Sequence, residues 1–275
     1  MPSNQNIQKF KKIARNVRLS ILEMITKGRC PHIGSSFSAV DILTALYFKI
    51  LKINPKKPED KNRDRFILSK GHAAAVLYAI LGERGFFNKN VLRNYSVNGG
   101  NLPGHAGRGY LPGIEISSGS LGHGLPIANG MALAAKKDKK NYRIFALLSD
   151  GECDEGSNWE AILFAAHHKL DNLVAIIDCN KWQAFGRTKD VMNLEPFAQK
   201  WKDFGWSVKE ADGHDFREIF QALKKIPFEK NKPGVLIAHT VKGKGVFFME
   251  DKLEWHYRNP NEEEYKIALR DIKEK

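Results

Sequence analysis

The stretch from residue 143 to residue 180, RIFALLSDGECDEGSNWEAILFAAHHKLDNLVAIIDCN, decides the fold. It contains two short, almost continuously apolar runs, residues 143–148 and 173–178, with a segment of helical character at 158–169 between them. Apolar runs of this length are typical of strands that are buried on both faces, and a helix between two such strands is typical of a parallel sheet. The stretch therefore predicts a βαβ unit.

Strands and helices of the same kind continue the pattern on both sides of this unit. The predicted strands lie at residues 65–68, 206–210 and 234–239, and the predicted helices at 7–24, 38–51 (capped by Ser38), 196–203, 215–225 and 262–273. Residues 99–130 are too rich in glycine and proline for regular structure, and so long a loop in a compact domain is usually functional. We predict a single domain, residues 1–275, with a doubly wound parallel sheet and helices on both faces. Ligands bind such folds at the carboxyl ends of the strands.

The composition narrows the class of protein. The 275 residues include 44 Lys and Arg against 31 Asp and Glu, a formal net charge of +13, and 42% of them are hydrophobic, which suits a globular domain. No run approaches the roughly 18 apolar residues of a membrane span, and the first residues lack the apolar core of a signal peptide, so we expect no membrane partner. The three cysteines are widely spaced, which favours the reducing cytoplasm. The basic pairs are scattered and no nucleic-acid-binding motif accompanies them, so we expect no nucleic acid partner.

Oxygen-bearing side chains follow both central strands. Asp150 and Gly151 come directly after the first strand, and Asn180 comes directly after the second. At a shared sheet edge the two side chains can hold a hard divalent cation, and the glycine lets the backbone approach a phosphate closely. Helix capping by Asp150 and Glu155, or a turn shaped by Asn180, explains either segment alone but not the pair. The arrangement suits a metal-bridged diphosphate.

The spacing of these residues resembles the thiamine diphosphate signature of transketolase-type enzymes, Gly-Asp-Gly followed by Asn-Asn. Ser149 stands here in place of the first glycine and Cys179 in place of the first asparagine, whereas Asp150 and Asn180 are retained. The resemblance implies thiamine diphosphate as cofactor, with Mg²⁺, Ca²⁺ or Mn²⁺ bound by Asp150, Asn180 and the backbone carbonyl of Trp182. The residues that it assigns to the cofactor here are Asp150, Gly151, Glu152 and Asn180.

Four histidines in other short motifs extend the resemblance over nearly the whole chain. They are His32 in PHIG, His72 in SKGH, His105 in LPGH and His256 in EWH. They match the histidines that line the transketolase substrate channel, so the resemblance implies catalytic roles for all four and cofactor binding by His72. A neutral imidazole can donate to a sugar hydroxyl or carry a proton near neutral pH, which the cleavage of a ketose requires. We predict surface or structural roles for three other histidines, His167, His168 and His214. The role of His239 stays open.

A glycine-rich segment, Gly119-Ser120-Leu121-Gly122-His123-Gly124, resembles the family's Gly-Ser-Leu-Gly-Gln-Gly segment, which contacts the diphosphate and the aminopyrimidine of the cofactor. His123 occupies the position of the glutamine. Apart from the resemblance, a glycine-rich loop that leads into a helix starting near Pro126 itself favours phosphate at the helix N-terminus.

Further charged residues complete the assignment. Glu155 matches a glutamate that, in the family, lies near the subunit interface and links the cofactor sites through acidic groups. Glu160 is interpreted as a surface carboxylate of a helix. Lys244, in the sequence Lys242-Gly243-Lys244-Gly245, is assigned to the diphosphate or to an anionic substrate. A mobile charged loop that orders on assembly is the alternative for this segment.

In the family, the glutamate that activates the cofactor's aminopyrimidine belongs to a second α/β domain. We expect the pyrimidine-binding and C-terminal domains on a separate chain, the C-terminal transketolase subunit, in an α2β2 heterotetramer. The resemblance implies transfer of a two-carbon ketol unit from a ketose to an aldose, either as sugars or as sugar phosphates. Alternatives are a transketolase-like enzyme of a specialised sugar pathway and one chain of another thiamine diphosphate enzyme, such as a deoxyxylulose phosphate synthase or a 2-oxo acid dehydrogenase. A non-catalytic paralogue with a binding or regulatory role is the alternative of a different class.

Overall fold

A computed structural model describes residues 4–274, so the ends of the predicted domain, residues 1–3 and 275, lie outside the described residues. Within the described range the strands form one parallel sheet in the order β1-β2-β3-β5-β4. The strands are β1 (Arg65–Leu68), β2 (Ile144–Ser149), β3 (Leu173–Cys179), β4 (Ser207–Asp212) and β5 (Gly234–His239). The predicted α/β class and the predicted strands are confirmed.

Helices connect the strands and cover the sheet. They are α1 (Asn4–Gly28), α2 (Ile33–Ser38), α3 (Val40–Ala45), α4 (Ala74–Arg84), α5 (Gly124–Lys137), α6 (Gly156–His167), α7 (Thr188–Val191), α8 (Phe197–Asp203), α9 (Phe216–Ala222) and α10 (Glu262–Glu274). Short helical turns lie at Leu46–Ile50, Gly71–Ala73, Lys89–Asn94, Gly151–Asp154 and Leu253–His256. None of the helices in residues 4–274 is long and apolar enough to cross a membrane.

Alternate residues of each central strand belong to two separate hydrophobic cores. In β2, Phe145 and Leu147 pack into a core that includes residues of α1, α3 and α4. The neighbouring residues Ile144, Ala146 and Leu148 pack into a second core with residues of α5 and α6. Successive side chains of a strand point to opposite faces, so burial on both faces requires a continuous apolar run. This is the physical basis of the pattern from which the fold was predicted.

The predicted helix at residues 38–51 is wrong in its start and in its continuity. The helical segment begins at Ile33, is interrupted at Ala39, and ends as a wider turn at Leu46–Ile50. Ser38 is fully buried and does not cap the helix; its Oγ donates to a carboxylate oxygen of Asp178 at 2.5 Å. Within this segment Gly34 lies against the side chain of Lys242, and Ser38 contacts Asp178.

Candidate active site

The carboxyl ends of four strands bring the predicted site residues to one edge of the sheet. His72 lies in the turn after β1, Asp150 directly after β2, Asn180 directly after β3, and Lys242 three residues after β5. The strands are parallel, so these positions converge although they are far apart in the sequence. The βαβ prediction thus placed Asp150 and Asn180 correctly.

The four predicted channel histidines form one cluster, the histidine cluster, defined by His32, His72, His105 and His256. The ring of His32 lies 5.1 Å from those of His72 and His256 and 6.2 Å from that of His105, measured between centroids. The rings of His72 and His256 are 5.7 Å apart. His32 adopts a left-handed backbone conformation, with φ of 74°, and its N–H donates to the carbonyl of His256 at 2.9 Å. The structure therefore joins motifs that are more than 200 residues apart.

The environment of the cluster keeps three of its imidazoles, those of His32, His72 and His256, neutral. Burial, together with His105 and the Lys242 ammonium, lowers the pKa of His32 to about 4. Burial and the nearby Lys242 lower the pKa of His256 to about 3. The pKa of His72 is also well below its usual value, first because of burial and then because of Lys70. Three neutral imidazoles near pH 7 can each both donate and accept a hydrogen bond.

Two buried lysines lie beside the histidines. Lys70 is fully buried, and its Nζ donates to the carbonyl of Ser35 at 2.8 Å and to the carboxylate of Asp178. Lys242 is 1% exposed, and its Nζ lies 2.8 Å from Nδ1 of His256. Burial and the Lys70 ammonium lower the pKa of Lys242 to about 8. Because Lys70 is paired with Asp178, it is Lys242 that adds positive charge beside the histidines, which favours anionic ligands there.

Asp178 holds Lys70 in place from β3. Its carboxylate accepts hydrogen bonds from Ser38 on α2 and from Thr240 after β5, in addition to the ion pair with Lys70. Burial opposes its ionisation, but the Lys70 ammonium and these hydrogen bonds lower the pKa of Asp178 below its usual value. The carboxylate is therefore ionised and fully used within the protein.

Asp150, in contrast, has an unused oxygen. Its Oδ2 accepts from the N–H of Lys181 at 2.7 Å and from Oγ1 of Thr188 at 3.1 Å, whereas Oδ1 is buried without a hydrogen-bond partner in the described structure. Burial and the neighbouring Asp178 raise the pKa of Asp150 to about 6. A buried carboxylate oxygen without a partner is unfavourable, and a hard divalent cation would satisfy it. The residues present therefore fit the cation that the sequence predicts.

The turn after β3 supplies the remaining predicted ligands. Asn180 is 3% exposed and accepts from the N–H of Trp182 at 3.1 Å. Lys181 has a φ of 66°, which reverses the chain sharply between these two residues. Residues 4–274 contain no group of three or more His, Cys, Asp or Glu side chains that could hold a metal ion, so a cation at this turn would depend on amide and carbonyl oxygens beside Asp150. A cation here would use one carboxylate, one amide and a backbone carbonyl, the oxygen set that Mg²⁺ accepts.

The glycine-rich segment at residues 119–124 is fixed by a buried glutamate. Glu152 is fully buried; its Oε1 accepts from the N–H of Gly122 at 3.0 Å and from the hydroxyl of Ser69. The same hydroxyl accepts from the N–H of Gly124 at 3.1 Å. A Cβ atom on Gly119 would lie 3.7 Å from the ring of His105, so the segment borders the histidine cluster. Glu152 holds the loop to the ends of β1 and β2.

Several predicted cofactor residues lie at the rim of the site. Ser120, His123 and Glu155 are exposed, and Leu121 is half-buried. Helix α5 begins at Gly124, two residues before its predicted start, with His123 at its N-cap. Gly151 packs so closely on Gln183 that a Cβ would come within 2.6 Å of its Cγ. Lys244 lies 3.7 Å from a carboxylate oxygen of Glu250, outside the histidine cluster.

Sequence reasoning missed three buried polar residues of the site. They are Ser69, Lys70 and Asp178. Each follows or ends an apolar run that the sheet buries on both faces, a position that by itself does not distinguish a buried polar residue from a solvated one. His214 was interpreted as structural, and it is half-buried between Asp41 and the N–H of Val241, at 2.8 and 2.9 Å. His239 ends β5 and pairs with Glu210, 2.9 Å away and half-exposed.

A family model described as the thiamine diphosphate binding domain of transketolase matches residues 9–271. The chain is 43% identical to one of the subunits named for apulose-4-phosphate transketolase, from Phocaeicola vulgatus, over 258 residues, which are 94% of this chain and 92% of that protein. It is 40% identical to a 6-deoxy-6-sulfo-D-fructose transketolase subunit of a Clostridium species, over 94% of this chain and 93% of that one.

Solved structures of longer proteins share the fold. A transketolase from Campylobacter jejuni matches with a TM-score of 0.90 and 33% identity, covering 97% of this chain and 43% of that one. The human protein named transketolase is 38% identical over 93% of this chain and 40% of its own length. The chain thus spans about two fifths of the longer relatives and nearly all of the subunits.

Proposed function

The chain belongs to the transketolase family, and from this membership and the site geometry we propose that it is the diphosphate-binding subunit of a split transketolase. With its partner it transfers a two-carbon ketol unit from a ketose to an aldose. The observation that carries the proposal is that the histidine cluster and Oδ1 of Asp150, which has no hydrogen-bond partner within residues 4–274, lie at the same sheet edge.

The metal site serves to hold the cofactor's diphosphate. Asp150, Asn180 and the Trp182 carbonyl would hold Mg²⁺, and Glu152 fixes the glycine-rich loop beside them by accepting from the N–H of Gly122. When bound, thiamine diphosphate supplies the carbon centre that accepts and releases the two-carbon unit. The chain itself binds and orients the cofactor and the sugar, and it shields them from water.

The histidine cluster binds the sugar. The neutral rings of His32 and His72 donate to and accept from hydroxyl groups, and one of them carries the proton that leaves a hydroxyl when the adjacent carbon bond breaks. The ring of His256, whose Nδ1 lies 2.8 Å from Nζ of Lys242, donates to a hydroxyl. Four imidazoles suit a polyhydroxylated substrate better than a 2-oxo acid with a single polar end. The cluster therefore favours a sugar substrate over those of the other thiamine diphosphate reactions.

The partner is a C-terminal subunit that carries the pyrimidine-binding domain, in an α2β2 assembly. Two relatives of nearly the same length as this chain are themselves named as single subunits of a transketolase, which supports a separately encoded second subunit. The substrates in the relatives' names, apulose 4-phosphate and 6-deoxy-6-sulfofructose, are ketoses that carry an anionic group. We propose a ketose of this kind as the donor substrate.

The proposed location of the enzyme is the cytoplasm. The cysteines Cys30, Cys153 and Cys179 are free thiols, which suits a reducing compartment.

The experiment is a ketol-transfer assay of the chain purified together with its partner, across a panel of phosphorylated, sulfonated and neutral ketoses. We expect turnover that depends on both thiamine diphosphate and Mg²⁺. Calorimetry that detects no cofactor binding to the assembled protein would favour a non-catalytic paralogue. Cofactor binding with turnover of 2-oxo acids but of no ketose would identify another thiamine diphosphate enzyme.

A further inference from the structure

We propose that Lys242 is a positioning residue: it holds the ring of His256 in one tautomer, in which Nδ1 accepts from Lys242 and Nε2–H is the donor available to a ligand. The inference rests on the proposed function for its catalytic consequence, but the tautomer itself can be observed without any turnover. Lys242 thereby acts on the substrate through His256.

The contact between the two side chains determines the tautomer. Nζ of Lys242 and Nδ1 of His256 are 2.8 Å apart. A protonated lysine has three donors and no acceptor, so Nδ1 must be the acceptor and a neutral ring must carry its proton on Nε2. With a pKa of about 8 for Lys242 and about 3 for His256, the lysine is charged and the imidazole neutral at pH 7.

The backbone around Lys242 is fixed, so its side chain has little freedom to leave the ring. Three contacts hold the segment: Val241 N–H to Nε2 of His214 at 2.9 Å, Gly243 N–H to the carbonyl of Gly34 at 3.0 Å, and Arg18 Nε to the carbonyl of Lys244 at 3.0 Å. Asp41 in turn pairs with both Arg18 and His214. The segment that carries Lys242 is therefore anchored from α1, from α2 and from the turn before α9.

The side chain of Lys242 also packs closely against Gly34 of α2. A Cβ atom on Gly34 would lie 3.0 Å from Cγ and 3.3 Å from Cε of Lys242. A side chain at this point of α2 would crowd the methylene chain of Lys242 and the carbonyl of Trp255. Lys70, Asp150 and Asp178 are the other charged groups whose fields act on the ammonium. Their charges partly offset one another, and the ammonium itself contacts Nδ1 of His256.

The fixed tautomer matters because of what surrounds His256. The ring planes of His256 and His32 are nearly perpendicular, with an interplanar angle of 88°. The backbone carbonyl of His256 accepts from the backbone N–H of His32. Rotation of the ring would break the contact with Lys242 and disturb His32 as well. A single donor at Nε2 gives the cluster a defined polarity toward a substrate hydroxyl, which an unrestrained imidazole lacks.

The test is the nitrogen spectrum of the full chain at pH 7 with ¹⁵N-labelled histidine, in which His256→Gln assigns the resonances of His256. We expect Nδ1 to appear as a hydrogen-bonded acceptor and Nε2 as the protonated nitrogen. Lys242→Met removes the donor and shifts the Nδ1 resonance, whereas Lys242→Arg, which also donates, restores it in part. Lys252→Met, the same change at an exposed lysine, leaves the spectrum of His256 unchanged. A proton on Nδ1 in the wild type, or an identical Nδ1 resonance in Lys242→Met, would overturn the proposal.

Kinetics of the assembled enzyme give a second readout. Lys242→Met should lower kcat/KM for the ketose by about tenfold, the equivalent of one hydrogen bond. The affinity for thiamine diphosphate should change by less than about threefold, because the lysine acts on the ring rather than on the diphosphate. A large loss of cofactor affinity with an unchanged Nδ1 resonance would contradict this role. The expected tautomer without any ketol transfer would instead contradict the proposed function.

Discussion

Lys70 and Asp178 form an ion pair in which neither side chain is exposed to solvent. Lys70 follows β1 and Asp178 lies near the end of β3, so the pair crosses the end of β2, which runs between them. Ser38 and Thr240 complete the hydrogen bonds of the carboxylate. The pair therefore ties together four segments that carry the site.

Breaking this pair should destabilise the chain strongly. Lys70→Met leaves a buried, unpaired carboxylate, so we expect the free energy of unfolding to fall by about 3–5 kcal/mol. Asp178→Asn should act similarly, and the double variant should lose less than the sum of the two. Urea denaturation of the three variants measures this coupling. Lys232→Met serves as the control, because its pair with Glu229 is half-exposed and should contribute at most about 1 kcal/mol. Strictly additive losses at Lys70 and Asp178 would contradict a coupled pair.

Acid should destabilise the chain before its carboxylates are fully protonated. The folded-state pKa of His32 is about 4 and that of His256 about 3, both below the unfolded value of 6.5, and that of His72 is also well below it. The unfolded chain therefore binds more protons as the pH falls from 6.5 toward 4, and stability is lost over that window. Each histidine contributes up to about 1.4 kcal/mol per pH unit.

Asp150 opposes this trend, because its folded-state pKa of about 6 lies above the unfolded value of 3.8. Three histidines outweigh it, so the net slope should still show falling stability in acid. Urea denaturation at a series of pH values from 7 to 4.5 checks this, with His72→Asn as the comparison. The variant should show a shallower slope than the wild type. Parallel curves would mean that His72 does not stay neutral in the folded chain.

Replacement of Asp150 by asparagine should stabilise the chain but weaken its binding of the cofactor. Asp150→Asn removes a buried charge whose Oδ1 has no partner in the described structure, so the free energy of unfolding at pH 8 should rise by about 1–3 kcal/mol. The same change should abolish Mg²⁺-dependent binding of thiamine diphosphate, measured by calorimetry on the assembled enzyme. Asp138→Asn, at an exposed position, should change neither quantity. Unchanged cofactor affinity in Asp150→Asn would exclude Asp150 as a metal ligand.

The contrast between Asp150 and Lys70 shows what the sequence could predict. Asp150 and Asn180 follow two apolar runs of the same type, and the parallel arrangement of such strands brings their ends together, so the pair was predictable. Lys70 and Asp178 were not, because a single charged residue at the end of an apolar run is usually solvated, and only three-dimensional packing shows that both are buried. The predicted capping role of Ser38 was wrong for the same reason. A serine before a helix predicts a cap, but the buried carboxylate of Asp178 is the stronger partner for its hydroxyl.

The histidine cluster was recognised from short motifs, but its neutrality required the structure. Burial and the two lysines lower the pKa values of three rings, and neither effect has a signature in the motifs. Glu152 is a similar case. The resemblance assigned it to the cofactor, whereas its described contacts are with Ser69, Ser149 and Gly122 of the protein itself.

Gly122 provides a test of whether the glycine-rich loop binds the cofactor or only stabilises the fold. Its φ is 79°, and a Cβ would lie 2.4 Å from Oγ of Ser157, so Gly122→Ala is both strained and crowded. We expect a loss of at least about 1 kcal/mol in the free energy of unfolding. Gly130→Ala, in α5 with nothing within 4 Å of the added Cβ, should instead stabilise the chain by about 0.5–1 kcal/mol.

Cofactor affinity separates the two roles. The N–H of Gly122 donates to Glu152, and displacement of the loop would also move the N–H groups beside it. If those groups contact the diphosphate, Gly122→Ala should weaken thiamine diphosphate binding by about tenfold or more, the loss of one or two hydrogen bonds to a charged group. Gly130→Ala should bind the cofactor as the wild type does. Calorimetry well below the unfolding temperature measures binding by the folded fraction alone, so unchanged affinity in a destabilised Gly122→Ala would assign the loop a purely structural role.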